Sequence, residues 1–220
     1  GADVIRIESP PGLDPTQGTM GARDSSDALN LHRNKRSITL NLKAPQAQQI
    51  LHQLVRTADV VVENFSTGVM RRLGLDYETC KALNPRIIFC SVSAYGRDGP
   101  YADRLGFDPI AQAESGFVAM NGYPDRLGVR ASSPVMDIST AMMVSNAILG
   151  ALYARATQGQ GQYLEVSLFD TALLMTGWAP MQHLFTGAEH RRHGNTSPDT
   201  CPSGVFQAQD QAFYINCGNN

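Results

Sequence analysis

Short apolar runs alternate with helix-patterned segments along most of the 220-residue chain, and this alternation limits the possible folds more than any other feature. The runs that have strand character are 3–8, 37–41, 58–62, 86–92 and 163–169. Between the second and third runs, Ile50, Leu51, Leu54 and Val55 recur at helical spacing. Strands that alternate with helices predict an α/β fold, here a Rossmann-like parallel sheet with helices on both faces.

The loops that follow these strands are the expected ligand-binding loops, because open α/β sheets bind ligands at the carboxyl ends of their strands. None of the loops contains a G-x-G-x-x-G sequence. The sequence therefore does not predict a standard dinucleotide site.

Charge and hydropathy exclude several classes of partner. The formal net charge is -2, so we expect no strong attraction to nucleic acid or to an anionic membrane. Polar residues interrupt the apolar stretches before they reach the ~20 residues that a membrane span needs. Neither nucleic acid nor membrane is therefore an expected partner.

The four cysteines contain no C-x-x-C pair. They are Cys80, Cys90, Cys201 and Cys217. This pattern predicts reduced thiols in a cytosol-like compartment, with two of the four in the core. His190 and His193 have a loose ligand spacing, but they lie in the polar segment 187–199. A solvated loop is expected there, and no metal site.

The segment 159–185 predicts a turn, a strand and a helix, with Asp170 where the strand gives way to the helix. Ala172–Trp178 would continue that helix, and Pro180 would bend or end it. The helix dipole favours a negative charge in the first turn, and a positioned carboxylate can attack an activated acyl group. An alternative is that Asp170 is only a helix cap.

Two further groups of residues could bind a ligand. The first is cationic and lies in the N-terminal third: Arg6, Arg33, Lys35, Arg36, Lys43, Arg71 and Arg72. These side chains could form surface ion pairs or bind a phosphate-bearing ligand. The second is Asn64 and Phe65, which follow the third strand. They could form an ordinary turn or lie against a flat heterocycle.

The C-terminal half adds a long helix and a domain boundary. The helix is predicted over 138–156, with Asp137 as its cap and with Met142 and Leu149 on the buried side. A boundary near residue 188 would separate an incomplete Rossmann-like domain, 1–188, from a linker and the start of a small α+β domain, 189–220.

Near the other end of the chain, residues 9–27 are rich in proline, glycine and serine, which predicts a long loop.

Four segments closely resemble the family III CoA-transferases, the CaiB/BaiF family that includes formyl-CoA transferase and carnitine CoA-transferase. They are NKRSITLNLK at 34–43, ADVVVENF at 58–65, SAYGRDGPYADRLGFDPIAQAESG at 93–116 and GQGQYLEVSLFD at 159–170. Each segment alone is moderately specific, whereas all four in the family's order are highly specific. The resemblance covers 1–220, and both ends have the character of a chain cut from a longer one.

The resemblance implies a CoA-transferase that moves CoA from an acyl-CoA donor to a carboxylic acid acceptor. Asp170 would be the nucleophile and would form an aspartyl anhydride and then an aspartyl-CoA thioester. The implied CoA contacts are Leu40, Lys43, Asn64, Phe65 and Arg72, with Asn64 and Phe65 beside the adenine. Phe107 and Asp108 would line the acyl pocket. The CoA thioester would be a substrate, with no tightly bound cofactor.

The family also implies an interlocked homodimer in the cytoplasm, or in the mitochondrial or peroxisomal matrix of a eukaryote. Two departures from its pattern stand out: Ser9 occupies the position of a basic CoA contact, and the family's small-domain glycine loop is absent. Two alternatives stay open. One is an α-methylacyl-CoA racemase, although residues 117–120 lack the histidine that such enzymes carry. The other is a non-catalytic CoA- or nucleotide-binding module in which Asp170 only caps a helix.

Overall fold

The computed structural model describes residues 1–13 and 25–218. Part of the predicted long loop, 14–24, lies outside the described residues. The chain divides into two compact units, one made of 1–59 and 68–87 and the other of 60–67 and the residues from 88 onwards. Both units contain parallel strands and helices, which confirms the α/β class.

Among its described residues, the first unit contains two parallel strands and four helices. They are β1 (Ile5–Glu8), α1 (Ser26–His32), β2 (Arg36–Thr39), α2 (Pro45–Thr57), α3 (Val69–Arg72) and α4 (Tyr77–Leu83). Helix α2 buries Ala47, Leu51 and Val55 and packs against α4, as its apolar spacing predicts. Helix α1 was not predicted, although Ser25 provides a cap for it by accepting a hydrogen bond from the Ala28 amide.

The second unit contains a three-stranded parallel sheet in the order β3–β4–β5. The strands are β3 (Val60–Glu63), β4 (Ile88–Ser93) and β5 (Tyr163–Ser167). The central strand β4 is the most buried, and Ile88, Phe89 and Cys90 are almost fully inaccessible to solvent. This burial follows from a continuous apolar run with neighbours on both sides.

Five helices belong to the second unit. They are α5 (Asp108–Glu114), α6 (Phe117–Met120), α7 (Val135–Gln158), α8 (Leu168–Met175) and α9 (Ala179–Thr186). A buried apolar cluster joins three of them: Ala111 of α5, Met136 of α7, and Leu168 and Ala172 of α8. The first turns of α5, α7 and α8 are therefore held by one small core.

Helix α7 differs from its prediction in two ways. It begins at Val135, so Asp137 lies inside the first turn and is not its cap. Met142 and Leu149 are exposed rather than buried. The helix is apolar on almost all sides, so its sequence pattern does not indicate which side faces the protein. Among the described residues, α7 is also the one helix whose length and apolar composition would allow it to cross a membrane, a property that core helices share.

The second unit ends in an antiparallel hairpin of β6 (Ser203–Gln207) and β7 (Ala212–Asn216). The boundary near residue 188 stays a prediction. Cys80 and Cys90 are buried and Cys201 and Cys217 are exposed, all four as free thiols, which confirms the prediction of two core cysteines.

Candidate active site

Asp170 lies in the first turn of α8, directly after β5. Strand β5 ends at Ser167, and the Ser167 hydroxyl accepts a hydrogen bond from the backbone N–H of Asp170 at 3.0 Å. Ser167 is therefore the helix cap, and the expectation that Asp170 serves only as a cap is wrong. The Asp170 side chain is exposed, and no hydrogen bond or ion pair to another described residue holds it. Asp170 is therefore an accessible carboxylate, and it lies at the end of the helix where the dipole favours negative charge.

The residue before the carboxylate is firmly anchored. The backbone N–H of Phe169 donates to the Ala94 carbonyl at 2.9 Å. The Phe169 ring packs on Tyr95, with ring centroids 5.6 Å apart. Leu168 is buried in the small core that also includes α5 and α7. These contacts fix the backbone from which Asp170 projects, as a nucleophile requires.

The two predicted acyl-pocket residues, Phe107 and Asp108, have different environments at the start of α5. Phe107 is 69% exposed. Asp108 is buried, and its Oδ2 atom accepts hydrogen bonds from the backbone N–H groups of Met136 at 2.7 Å and Asp137 at 3.2 Å. Its Oδ1 atom accepts a hydrogen bond from the Gln112 side chain. Asp108 therefore caps α7, while Phe107 is available to a ligand.

Two of the predicted CoA contacts, Lys43 and Arg72, lie in one cavity of the first unit. The cavity has a volume of about 560 Å³ and is lined by Leu42, Lys43, Ala44, Pro45, Gln48, Val69, Arg72 and Leu73. Its size is typical of small-molecule sites. Helix α2 starts there, and its cap residue Ala44 has no side chain that could accept the first-turn N–H groups. Two cations beside such a helix terminus can bind a phosphate group.

Side chains of helix α2 form hydrogen bonds that fix one wall of this cavity. Gln48 donates to the Leu73 carbonyl at 3.1 Å, and a ring nitrogen of His52 lies 2.9 Å from the Gly74 carbonyl. These contacts fix the turn that follows α3. Gly68 precedes α3 with a φ of +80°, and a Cβ atom added to it would lie 3.2 Å from a guanidinium nitrogen of Arg72. The glycine therefore leaves room for the Arg72 side chain.

Several of the other cations have local partners. Arg36 donates two hydrogen bonds to Asp3, and Arg6 forms an ion pair with Glu8 at 2.9 Å. Arg33 bonds to Asn30, and Lys35 donates to the carbonyl of Leu31 at 2.6 Å. Arg6 and Arg36 therefore form surface ion pairs, whereas Arg33 and Lys35 bond to neutral acceptors. Lys43 and Arg72 stay the candidates for binding a ligand.

The remaining predicted CoA contacts lie at strand ends. Leu40 continues the pairing of β2 with β1, because its N–H donates to the Glu8 carbonyl at 2.9 Å. Asn64 and Phe65 follow β3 with exposed side chains, and Phe65 is 42% exposed. The Phe65 backbone is held by Glu63 and Arg97, which the sequence patterns did not single out. The signal that could have revealed them is a glutamate at the end of an apolar strand, where burial requires a cationic partner.

His190 and His193 form ring contacts, His190 with both Trp178 and His193, at centroid distances of 5.4 and 5.8 Å. No group of three or more metal-ligating side chains occurs among residues 1–13 and 25–218. The absence of a metal site in the protein stays a prediction.

Comparison with known proteins identifies the family. The model of CoA-transferase family III matches residues 1–220. An acyl-CoA transferase of Fusarium pseudograminearum is 41% identical, over 99% of this chain and 50% of that protein. Succinate--glutarate CoA-transferase of Agrobacterium fabrum is 38% identical, over 100% of this chain and 57% of that protein. A CAIB/BAIF family protein from Brucella suis superimposes with a TM-score of 0.88 at 38% identity, over 100% of this chain and 60% of that one.

The chain belongs to CoA-transferase family III. It spans about half the length of the curated relatives it matches.

Proposed function

We propose that this chain carries the nucleophile and much of the CoA site of an enzyme that transfers CoA from an acyl-CoA to a carboxylic acid. The observation that carries the proposal is the exposed Asp170 carboxylate at the start of α8, where Ser167 caps the helix in its place. A carboxylate that neither caps a helix nor forms an ion pair with another described residue is available for chemistry.

The reaction proceeds through two covalent forms of Asp170. Its carboxylate attacks the thioester carbonyl, the C–S bond breaks, and an aspartyl anhydride and CoA thiolate form. The thiolate attacks the aspartyl carbonyl, which gives an aspartyl-CoA thioester and releases the donor acid. The acceptor carboxylate then attacks the aspartyl carbonyl of this thioester, the C–S bond breaks, and a second aspartyl anhydride and CoA thiolate form. The thiolate attacks the acceptor's acyl carbonyl in that anhydride, and the Asp170 carboxylate leaves. The products are a new acyl-CoA and free Asp170. Every intermediate stays activated, so the transfer needs no ATP and no tightly bound cofactor.

The proposed CoA contacts follow from the chemistry of each position. Lys43 and Arg72 supply positive charge in the cavity beside the start of α2, which suits the phosphates of CoA. Asn64 and Phe65 present an amide and an aromatic face for the adenine ring. Leu40 contributes apolar surface. Phe107 contributes exposed aromatic surface for the acyl group, whereas Asp108 supports the pocket through its contact with α7.

Short carboxylic acids are the proposed donors and acceptors. Relatives of this chain carry names such as succinate--glutarate CoA-transferase and acetyl-CoA:oxalate CoA-transferase. Their named substrates include dicarboxylates, and we extend that class to this chain as a proposal. A racemase is less favoured, because such an enzyme pairs its Asp with a His and the segment 117–120 is Phe-Val-Ala-Met.

A second copy of the chain is the proposed protein partner. Helix α7 exposes Met142, Leu149 and Tyr153 on one side, at 61%, 64% and 77%. Residues at this spacing lie along one face of a helix, and an exposed apolar face favours association. Analytical ultracentrifugation of the chain tests this proposal, and a purely monomeric chain at micromolar concentration would contradict it. The proposed location is the cytoplasm, or the mitochondrial or peroxisomal matrix.

Intact-protein mass spectrometry after incubation with succinyl-CoA tests the covalent chemistry. We expect an acyl or CoA adduct that maps to Asp170 and that hydroxylamine removes. The Asp170→Asn variant should form no adduct yet still bind CoA. An adduct on the Asn variant, or CoA bound without any adduct on the natural chain, would count against the nucleophile.

A titration with CoA tests the phosphate site. Arg72→Ala should weaken binding by about 1 to 3 kcal/mol, because a charge-assisted hydrogen bond to phosphate is lost. Arg71→Ala is the matched control, since Arg71 is the adjacent cation but does not line the cavity. Equal effects of the two substitutions would indicate a general charge effect rather than a contact of Arg72.

A further inference from the structure

Arg97 forms an unusually complete hydrogen-bonding network in the second unit. Its guanidinium group donates to the Ser91 hydroxyl at 2.8 Å, to the Phe65 carbonyl at 2.7 Å, to Glu63 at 2.9 Å and to the Val92 carbonyl at 2.9 Å. Only 15% of the side chain is exposed. A partly buried arginine with four bonded acceptors has one fixed orientation.

Glu63 holds the opposite edge of the same peptide segment. Its Oε2 atom accepts the backbone N–H of Phe65 at 2.9 Å, and its Oε1 atom accepts from both Arg97 and the Ser91 hydroxyl. The Glu63 side chain is 6% exposed. The N–H of Phe65 is thus bound by Glu63 and its carbonyl by Arg97, so the backbone is fixed on both sides of the Phe65 Cα atom.

The loop that carries Arg97 is itself anchored to the sheet. The Arg97 backbone N–H donates to the Glu165 side chain of β5 at 2.5 Å, and the Gly96 N–H donates to the Ser93 hydroxyl at 2.9 Å. Because its loop is attached to the three-stranded sheet, Arg97 fixes the residues that follow β3 relative to that sheet.

A simple turn after β3 would not need an ion pair and hydrogen bonds to both the N–H and the carbonyl of Phe65. Removing two charged groups from water is costly, and a buried ion pair often contributes little net stability. The network nevertheless leaves the side chains of Asn64 and Phe65 exposed while it fixes the backbone that carries them. Rigid backbone beneath exposed recognition side chains is typical of a preorganised binding site.

We infer that Arg97, together with Glu63, is a positioning residue that preorganises Asn64 and Phe65 to bind the adenosine part of CoA. This inference rests on the proposed function, in which these two residues contact the adenine. Arg97 touches no substrate itself. Arg97 holds the Phe65 backbone in place before CoA binds. The binding of CoA therefore loses no free energy to ordering that backbone.

The test compares ligands that contain or lack the adenosine group. Titrations of Arg97→Lys with CoA, with adenosine 3′,5′-bisphosphate and with 4′-phosphopantetheine should separate positioning from general damage. We expect CoA and the bisphosphate to bind about fivefold more weakly or worse, because hydrogen bonds that fix the loop are lost. The affinity for phosphopantetheine should not change. Equal losses for all three ligands, or no loss for CoA, would overturn the inference.

Arg126→Lys is the matched control, because Arg126 belongs to the same unit and its side chain is 80% exposed. It should bind all three ligands like the natural chain. Circular dichroism shows whether each variant folds. If Arg97→Lys does not fold, Glu63→Gln retains an acceptor for the Phe65 amide while it removes the ion pair. The same ligand-specific loss is then expected for Glu63→Gln, and its absence would overturn the inference.

Phe65→Ala distinguishes a failure of this inference from a failure of the proposed function. If Phe65→Ala leaves CoA affinity unchanged, the proposed adenine contact is wrong and the inference falls with it. If Phe65→Ala weakens CoA binding but Arg97→Lys does not, only the role of Arg97 is wrong. In the double variant we expect a loss smaller than the sum of the two single losses, because Arg97 acts in part through the Phe65 contact. Additive losses would overturn the inference.

Discussion

The Oδ2 atom of Asp108 lies 2.7 Å from the backbone nitrogen of Met136, so a carboxylate from α5 caps the first turn of α7. The residue that precedes α7 is Pro134, whose side chain cannot accept a hydrogen bond. Ala111 at the start of α5 and Met136 at the start of α7 both pack into the small core that includes residues of α8. Asp108 thus supports the helix that carries the candidate nucleophile.

Replacement of Asp108 by alanine should lower the free energy of unfolding by about 2 to 3 kcal/mol. The substitution removes a charged acceptor and leaves buried N–H groups of α7 unsatisfied. Urea denaturation measures the loss. Asp125→Ala serves as the control, because the Asp125 side chain is 78% exposed and should change stability by no more than about 0.5 kcal/mol. An unchanged urea midpoint for Asp108→Ala would contradict the capping role.

Stability should depend on pH through Asp137. Partial desolvation at the start of α7 and, second, the nearby Asp108 carboxylate raise the pKa of Asp137 above its ordinary value. A carboxyl group with a raised folded-state pKa favours the fold below its unfolded pKa, and this contribution is lost as pH rises through the folded pKa. Asp137→Asn should therefore stabilise the protein at pH 7 relative to the natural chain.

The advantage of Asp137→Asn should vanish in acid, where the carboxyl group is neutral in both states. Urea midpoints measured at a series of pH values check the sign. An advantage that grows as pH falls would contradict it.

Gly68 and Gly159 provide a matched pair for testing the cavity. Both have left-handed backbones, with φ of +80° and +78°. Alanine at either position should cost about 1 to 2 kcal/mol of stability through backbone strain. Only at Gly68 would the new Cβ atom meet Arg72, at 3.2 Å, whereas no such contact occurs within 4 Å at Gly159 among the described residues. Gly68→Ala alone should therefore weaken CoA binding, and a calorimetric titration compares the two variants. Equal affinities would argue against a role for Arg72 in the site.

Alkylation should separate the cysteines into two classes. Burial, with a smaller contribution from Asp76, raises the pKa of Cys80 to about 11, and burial followed by Glu63 raises the pKa of Cys90. Iodoacetamide reacts with thiolates, so at pH 8 the folded chain should be modified only at Cys201 and Cys217, which are exposed. Mass spectrometry should find two modifications on the native chain and four in denaturant. Rapid native modification of Cys80 would contradict its burial.

Local sequence patterns predicted the secondary structure where a single spacing of apolar residues dominated the segment. The spacing of Leu51 and Val55 predicted both α2 and its buried side, because a helix with one polar side has one possible orientation. Helix α7 lacked such a polar side, and Met142 was assigned to the wrong face. The cap of α7 was also missed, because it comes from Asp108, 28 residues before Met136 in the chain.

The sequence by itself determined the α/β class, the order of the parallel strands, the family, and the placement of Asp170 where β5 gives way to α8. These features depend on residues that are close together in the chain. Only the tertiary structure decided that Ser167 rather than Asp170 caps α8, that Lys43 and Arg72 share a cavity, and that Arg97 fixes Phe65. The choice of cap is local, because Ser167 and Asp170 are three residues apart and either side chain is an acceptable cap in the sequence. The other two relationships join residues that are far apart in the chain, where burial and hydrogen-bond geometry select among partners that are equally acceptable in the sequence.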